Sequence, residues 1–158
     1  MITETAEEFV TQVPQMGALA GLDLGTKTIG VAISDVLRSV STPTQTIKRK
    51  KFGVDAAQLL EICQKRDIVG LVLGLPRNMD GSEGPRAQAT RAFARNLSRL
   101  TDLPIVYWDE RMSTIAAERA LIEADTSRKR RAEVIDHVAA GYILQGMLDR
   151  LQHLNAAT

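Results

Sequence analysis

The chain is poor in cysteine, in aromatic rings and in long apolar runs. Of 158 residues one is cysteine, Cys63. A single thiol makes no intrachain disulfide and no zinc cluster. Such usage fits a reducing compartment. Aromatic residues make up 4%, which argues against gripping single strands by extended base stacking. No run of 18 apolar residues exists, so no helix is expected to span a membrane. Residues 1–17 carry Glu4, Glu7 and Glu8 but neither Lys nor Arg. A signal peptide starts basic and continues apolar, so the cytoplasm is the expected compartment. An excess of charge is lacking too. The 20 basic and 19 acidic residues leave a net +1, which taken alone speaks against a strongly basic surface.

What is present is ordinary globular material, 44% hydrophobic and 25% charged. The length suits one domain with a real core. Residues 1–17 read as a flexible extension with a short helix around Ala6 to Val10. Residues 18–154 read as one domain and 155–158 as a tail. Ala18 to Asp23 and Ile29 to Ser34 read as strands of a hairpin. Pro43 to Ile47 is a third strand, its proline suited to a sheet edge. Gly53 to Arg66 repeats apolar residues at helical spacing, with Ala56, Leu59, Leu60 and Cys63 on one face. Ile68 to Leu73 is a strand covered on both faces. Arg86 to Leu100 is a helix with Ala89, Phe93, Leu97 and Leu100 inward. Ile105 to Trp108 is the last strand. A helix capped by Ser113 runs to about Glu123. A basic loop, Asp125 to Arg131, precedes a long final helix, Ala132 to Leu154. This order predicts an α/β fold with a mixed five-stranded sheet, a three-stranded antiparallel meander plus two parallel strands, and helices on both faces.

Three acids stand out by position. Asp23 ends the first strand, Glu110 follows the last, and Asp136 lies near the start of the final helix. Carboxylates that converge repel one another unless a cation sits among them. Hard oxygen ligands select Mg²⁺ or Mn²⁺, and two such ions can clamp the attacking and leaving oxygens of a phosphodiester. Asp109 competes with Glu110, and alternation along the strand does not choose between them. Asp136 is equally well read as a first-turn acid favoured by the helix dipole.

Basic and small residues surround these acids. Gly25 and Gly30 flank Lys27, which is placed to touch a phosphate. Gly74 to Arg86 holds three Gly, two Pro and two Arg in thirteen residues and opens a helix, a setting that favours anions. Its Arg77, Asn78, Ser82 and Arg86 are phosphate-binding candidates. Arg111 either holds a phosphate or pairs with Asp109. Of two basic runs, Lys48 to Lys51 reads as a solvated face. Arg128, Lys129, Arg130 and Arg131 directly precede the helix bearing Asp136 and suit a nucleic-acid backbone. His137 and His153 read as surface histidines.

Four segments occur in order: Leu22-Asp23-Leu24-Gly25-Thr26-Lys27-Thr28-Ile29-Gly30-Val31-Ala32; Gly74-Leu75-Pro76-x-Asn78-Met79-Asp80-Gly81-Ser82-x-Gly84-Pro85-Arg86; Asp109-Glu110-Arg111-x-Ser113-Thr114; and Ile135-Asp136-x-x-Ala139-Ala140-x-x-Ile143-Leu144. Together they resemble the YqgF/RuvX family, over about Ala18 to Leu148. The resemblance implies an RNase H-like fold and an acidic site of Asp23, Glu110 and Asp136. It implies a metal-dependent nuclease that trims pre-16S rRNA, or else resolves Holliday junctions. The implied partners are precursor rRNA or branched DNA, with ribosomal particles in addition, and no membrane. The protein is expected as monomer or homodimer. Thr28 departs from the pattern, since many members carry Arg there. Two readings of other classes remain. Asp-x-Gly-Thr also opens the sugar-kinase and chaperone ATPases, but those need a second such half. A non-catalytic RNA-binding assembly factor would keep the fold without cleavage.

Overall fold

In the computed structural model, the described residues are 1–112 and 128–156, with side chains described except at 128–136 and 156. Seven residues, Ala18–Leu24, all apolar or small except Asp23, form a fully buried strand, β2. It lies inside a six-stranded sheet of order β1-β6-β5-β2-β3-β4. β3 (Thr28–Ser34) and β4 (Ser41–Lys48) continue from β2 as an antiparallel meander. β5 (Ile68–Leu75) and β6 (Ile105–Asp109) run parallel to β2. Pro43 sits on β4, at the sheet edge, where a missing N–H costs no ladder bond.

Alternation along the strands separates two cores. Ala20, Leu22, Leu24, Leu71 and Leu73 face α2 (Phe52–Lys65) and α3 (Pro85–Ser98). Leu19, Val72 and Val106 face the long helix α4 (Arg128–Ala156) through Ala140, Ile143, Leu144 and Met147. Pro85 opens α3, where its missing N–H is harmless and its fixed φ suits the first turn. Cys63 is core, as expected, and burial pushes its thiol up to about 11, so it stays protonated at neutral pH. Among the described residues no helix is long and apolar enough to cross a membrane.

Four expectations need correction. The sheet has six strands, because Ile2–Thr3 forms β1 and pairs parallel with β6. Residues 1–17 are therefore part of the fold rather than an appendage to it. Thr5 caps α1 (Ala6–Val10) by accepting from the Glu8 N–H, and Phe9 is fully buried. Phe9 fills the space above Gly70, where a Cβ would lie 2.7 Å from its ring. The inward face of α3 is rotated: Ala87, Thr90, Phe93 and Leu97 are buried, while Ala89 and Leu100 are exposed. Arg128 to Arg131 belong to α4, not to a loop. The helix expected from Ser113 lies outside the described residues.

If the N-terminal segment is part of the core, Phe9→Ala lowers unfolding free energy by about 3–5 kcal/mol, the usual cost of deleting a buried Phe. Urea denaturation measures it. A loss under 1 kcal/mol would return the segment to the status of an appendage.

Candidate active site

β2 delivers Asp23 to its carboxyl end. Leu22 and Leu24 face α2 and α3, so Asp23 faces α4, where it is 4% exposed. A carboxylate this deep needs hydrogen bonds or positive charge around it. Leu22 pairs with Leu73, which sets the next residue of β5, Gly74, beside Asp23. A Cβ built on Gly74 would lie 2.9 Å from Glu110 Oε1 and 2.4 Å from Ile143 Cδ1. Asp23 and Glu110 thus flank the bare backbone of Gly74 on one face of the sheet. The missing side chain leaves room between two carboxylates and lets α4 lie close.

The strand sends Asp109 and Glu110 to different faces of the sheet. Trp108 faces α4, packed on Gly146, so Asp109 faces the other way. There Arg111 forks onto it through Nη2 at 2.7 Å and Nε at 3.1 and 3.2 Å. Arg77 Nη1 adds a longer contact of 3.4 Å. Chiefly through the hydrogen bonds from Arg111, these cations hold the Asp109 carboxyl below the usual range, against the opposing effect of burial. Glu110 opens a 3₁₀ turn, Glu110–Met112, that swings back to the α4 side. Of the two roles open to Arg111, the structure shows the pairing with Asp109.

α4 is fixed in register by two contacts with β4. Thr46 Oγ1 lies 3.1 Å from His137 Nδ1, and a Cβ on Gly141 would lie 2.9 Å from Pro43. Thr46 is level with Gly30, which pairs with Asp23. The helix therefore runs antiparallel to β2, its early turns toward the Asp23 end. Position 136 is one turn before Ala140, whose carbonyl O would be 3.0 Å from a Cβ on Gly21. The side chain of Asp136 lies outside the description, as do those of Arg128, Lys129 and Arg130 in the first turn of α4. Among the described residues no three metal-ligating side chains gather. His137 is half-buried and bonded to Thr46 rather than lying free on the surface.

The loop after β5 is closed on itself. Asn78 Nδ2 donates to Ser82 Oγ at 2.9 Å, and Ser82 donates from N and Oγ to Asp80 Oδ1 at 2.9 and 2.6 Å. Gly81 turns the chain at φ 89°, which glycine adopts without penalty. Arg77 bridges Glu83 and Asp109. Arg91 ties Glu83 to Glu4 and lies over the Tyr107 ring at 4.7 Å. Sequence reasoning missed this chain of ion pairs, since nothing local links Glu4, Glu83 and Arg91. Lys27 is exposed at the hairpin tip. Arg86, in the first turn of α3, reaches the Leu24 carbonyl at 3.4 Å.

An acidic pair at the carboxyl ends of parallel strands, crossed by a helix, defines the class: an RNase H-like α/β fold. The same fold occurs in a structure titled "T. thermophilus RuvC in complex with Holliday junction substrate". The likeness has a TM-score of 0.54 at 10% identity and covers 86% of this chain and 96% of that one. A second Thermus thermophilus RuvC structure gives 0.51 at 12% identity, over 85% and 96% of the two chains. More specifically, residues 17–150 match the family described as "RuvX: Holliday junction resolvase", and the chain belongs to that family. It is 71% identical over 154 residues to a protein of Ruegeria pomeroyi named "Putative pre-16S rRNA nuclease", covering 98% of this chain and 100% of that one. A Paracoccus denitrificans protein of the same name is 72% identical, covering 98% of each. The family match begins at residue 17, after β1 and α1, whereas the Ruegeria alignment is long enough to take in most of them.

Two outcomes follow. Gly74→Ala forces Ile143 and Glu110 apart, so it destabilises by about 1–3 kcal/mol and lowers any activity of the site. Thermal unfolding and an activity assay check both, and a silent substitution would mean the gap between the acids is not tight. The folded-state value of Asp109 is below its unfolded value of about 3.9. Its stabilisation is thus complete above that pH and is lost as pH falls through the lower folded value. The stability gap between wild type and Asp109→Asn should be constant from pH 6 to 8 and shrink below about pH 4. A gap unchanged at pH 3 in urea titrations would count against the ion pair.

Proposed function

We propose that this protein is a metal-dependent nuclease of pre-16S rRNA, with Asp23, Glu110 and Asp136 as its acidic site. The observation that carries the reading is the pairing of buried Asp23 with Glu110 across Gly74, beneath the helix that bears Asp136. Two oxygen-donor carboxylates on one face, with space between them, fit a hard divalent cation, Mg²⁺ or Mn²⁺. Two such ions, when bound, supply the charge that favours attack by water and departure of the 3′-oxygen. Hydrolysis forms a bond from the water oxygen to phosphorus and breaks the bond from phosphorus to O3′. The departing oxygen takes up a proton.

The remaining residues orient the strand. Lys27 and Arg86 are assigned to phosphates of the substrate, with Arg128, Lys129 and Arg130 along the start of α4. Arg77 and Arg111 act differently: by holding Asp109 they fix the turn that aims Glu110. Asn78 and Ser82 shape the loop beside it. The relatives' names support rRNA as substrate, and on that reading the protein works in the cytoplasm on ribosomal particles. The family's description and the RuvC-like fold favour a second reading, cleavage of four-way DNA junctions, for which a homodimer is the natural form. A monomer suffices for the rRNA reading.

The test is cleavage of a pre-16S rRNA fragment and of a four-way junction, with Mg²⁺, with Mn²⁺ and with chelator. Asp23→Asn, Glu110→Gln and Asp136→Asn should each lose about 100-fold or more, roughly 2.7 kcal/mol of barrier. Full activity in Asp23→Asn, or in chelator, would sink the metal site. Failure of the wild type on both substrates would favour a non-catalytic assembly factor.

A further inference from the structure

On the opposite side of the hairpin from Asp23 lies a small cavity of about 60 Å³, lined by Gly25, Thr26, Arg49, Arg86, Thr90 and Phe93 among others. Two guanidinium groups meet there. Arg49 Nη1 donates to the Gly25 carbonyl at 2.6 Å, its backbone N donates to the Lys27 carbonyl, and its head lies 5.7 Å from the centre of the Phe93 ring. Arg86 Nη2 reaches the Leu24 carbonyl. Each is thus held by backbone oxygens of the Leu24 to Thr28 turn, with further donors of its five to spare.

The contrast with four other arginines is electrostatic. Arg77, Arg91, Arg111 and Arg150 each form a salt bridge to a carboxylate. Among the described residues, no carboxylate salt-bridges Arg49 or Arg86. Two uncompensated cations that converge on a concave, partly walled spot attract an anion, and paired guanidinium groups fit the oxygens of a phosphate. Gly25 follows Asp23 by two residues, at most about 7 Å along the chain. A strand that passes over the end of β2 at Asp23 and continues round the hairpin turn toward α3 would set a neighbouring phosphate at this pocket.

We propose that Arg49 and Arg86 together form a subsite for a single backbone phosphate of the nucleic-acid strand, adjacent to the one that is cleaved. The assignment rests on the nucleic-acid reading above and adds Arg49 to it. Arg49 sits within the run Lys48 to Lys51, yet its guanidinium turns inward while Lys48, Lys50 and Lys51 stay exposed.

The test is equilibrium binding of the rRNA fragment and the junction over a range of salt, in the Asp23→Asn background so that binding is read without cleavage. Arg49→Gln, Arg86→Gln and the double variant are compared. One phosphate contact contributes about 0.7 to 0.9 to the slope of log affinity on log salt. The double variant should lower the slope by that amount and weaken binding several-fold, and Arg49→Lys should keep the slope. An unchanged slope in the double variant overturns the subsite, and so does a drop of twice that size, which means two separate contacts. Binding of neither substrate by the parent protein overturns the nucleic-acid reading instead. Inorganic phosphate supplies the other arm. If it raises the melting temperature in an Arg49-dependent way while strand binding ignores both arginines, the pocket takes free phosphate and the strand assignment fails. Should Arg49→Gln fail to fold by thermal unfolding, Arg86→Gln, altered at an exposed position, carries the same slope measurement.

Discussion

The close approach of α4 to the sheet is the constraint on which the site depends. At Gly21 and Gly74 there is no side chain between helix and strand, and Leu144 and Ile143 occupy the space directly. A helix seated this closely cannot slide by a turn without driving Leu144 into a neighbouring side chain. The contacts His137 with Thr46 and Gly141 with Pro43 then set its height along β2. The same glycine, Gly74, both admits α4 and separates Asp23 from Glu110. One residue with nothing beyond its Cα thereby links packing to chemistry.

How much of this was legible depended on the range of the interaction. Short-range patterns read well: β2 to β6, the hairpin, α2 and α3 follow from apolar alternation and helical spacing. Asp23 and Glu110 were visible because each ends or follows an apolar run. β1 was not, because two residues, Ile2 and Thr3, offer no alternation to read. They become a strand only by pairing with Ile105 and Val106, about a hundred residues away. The choice between Asp109 and Glu110 failed for a related reason. It turns on whether Trp108 faces α4, and that is settled by Gly146, far along the chain.

Charge was the least legible level. A list of arginines does not show which ones already have partners. Arg77, a candidate phosphate contact, and Arg111, read either as that or as a partner of Asp109, both salt-bridge Asp109 in the structure. Arg49 looked like part of a solvated run and proves to be turned inward over Phe93. Near-neutral total charge thus conceals a division of labour. Arg77, Arg91 and Arg111 neutralise acids on the α3 side and stiffen the loop, whereas Arg49 and Arg86, without a salt bridge among the described residues, bond to the hairpin turn.

This division bears on how the site keeps its shape. Exposed ion pairs contribute little stability one at a time, about 0–1 kcal/mol. The chain from Glu4 through Arg91, Glu83 and Arg77 to Asp109 and Arg111 is a network, however, and all its members except the exposed Glu4 are partly sheltered. It joins the N-terminal segment, the loop after β5 and the end of β6, three pieces distant in sequence. Its effect is therefore on geometry more than on global stability. With Asp109 anchored from both Arg77 and Arg111, the 3₁₀ turn that follows has few orientations open to it, and Glu110 is held facing Gly74. The first seventeen residues thus reach the acidic site through Glu4, although none of them stands near it in sequence.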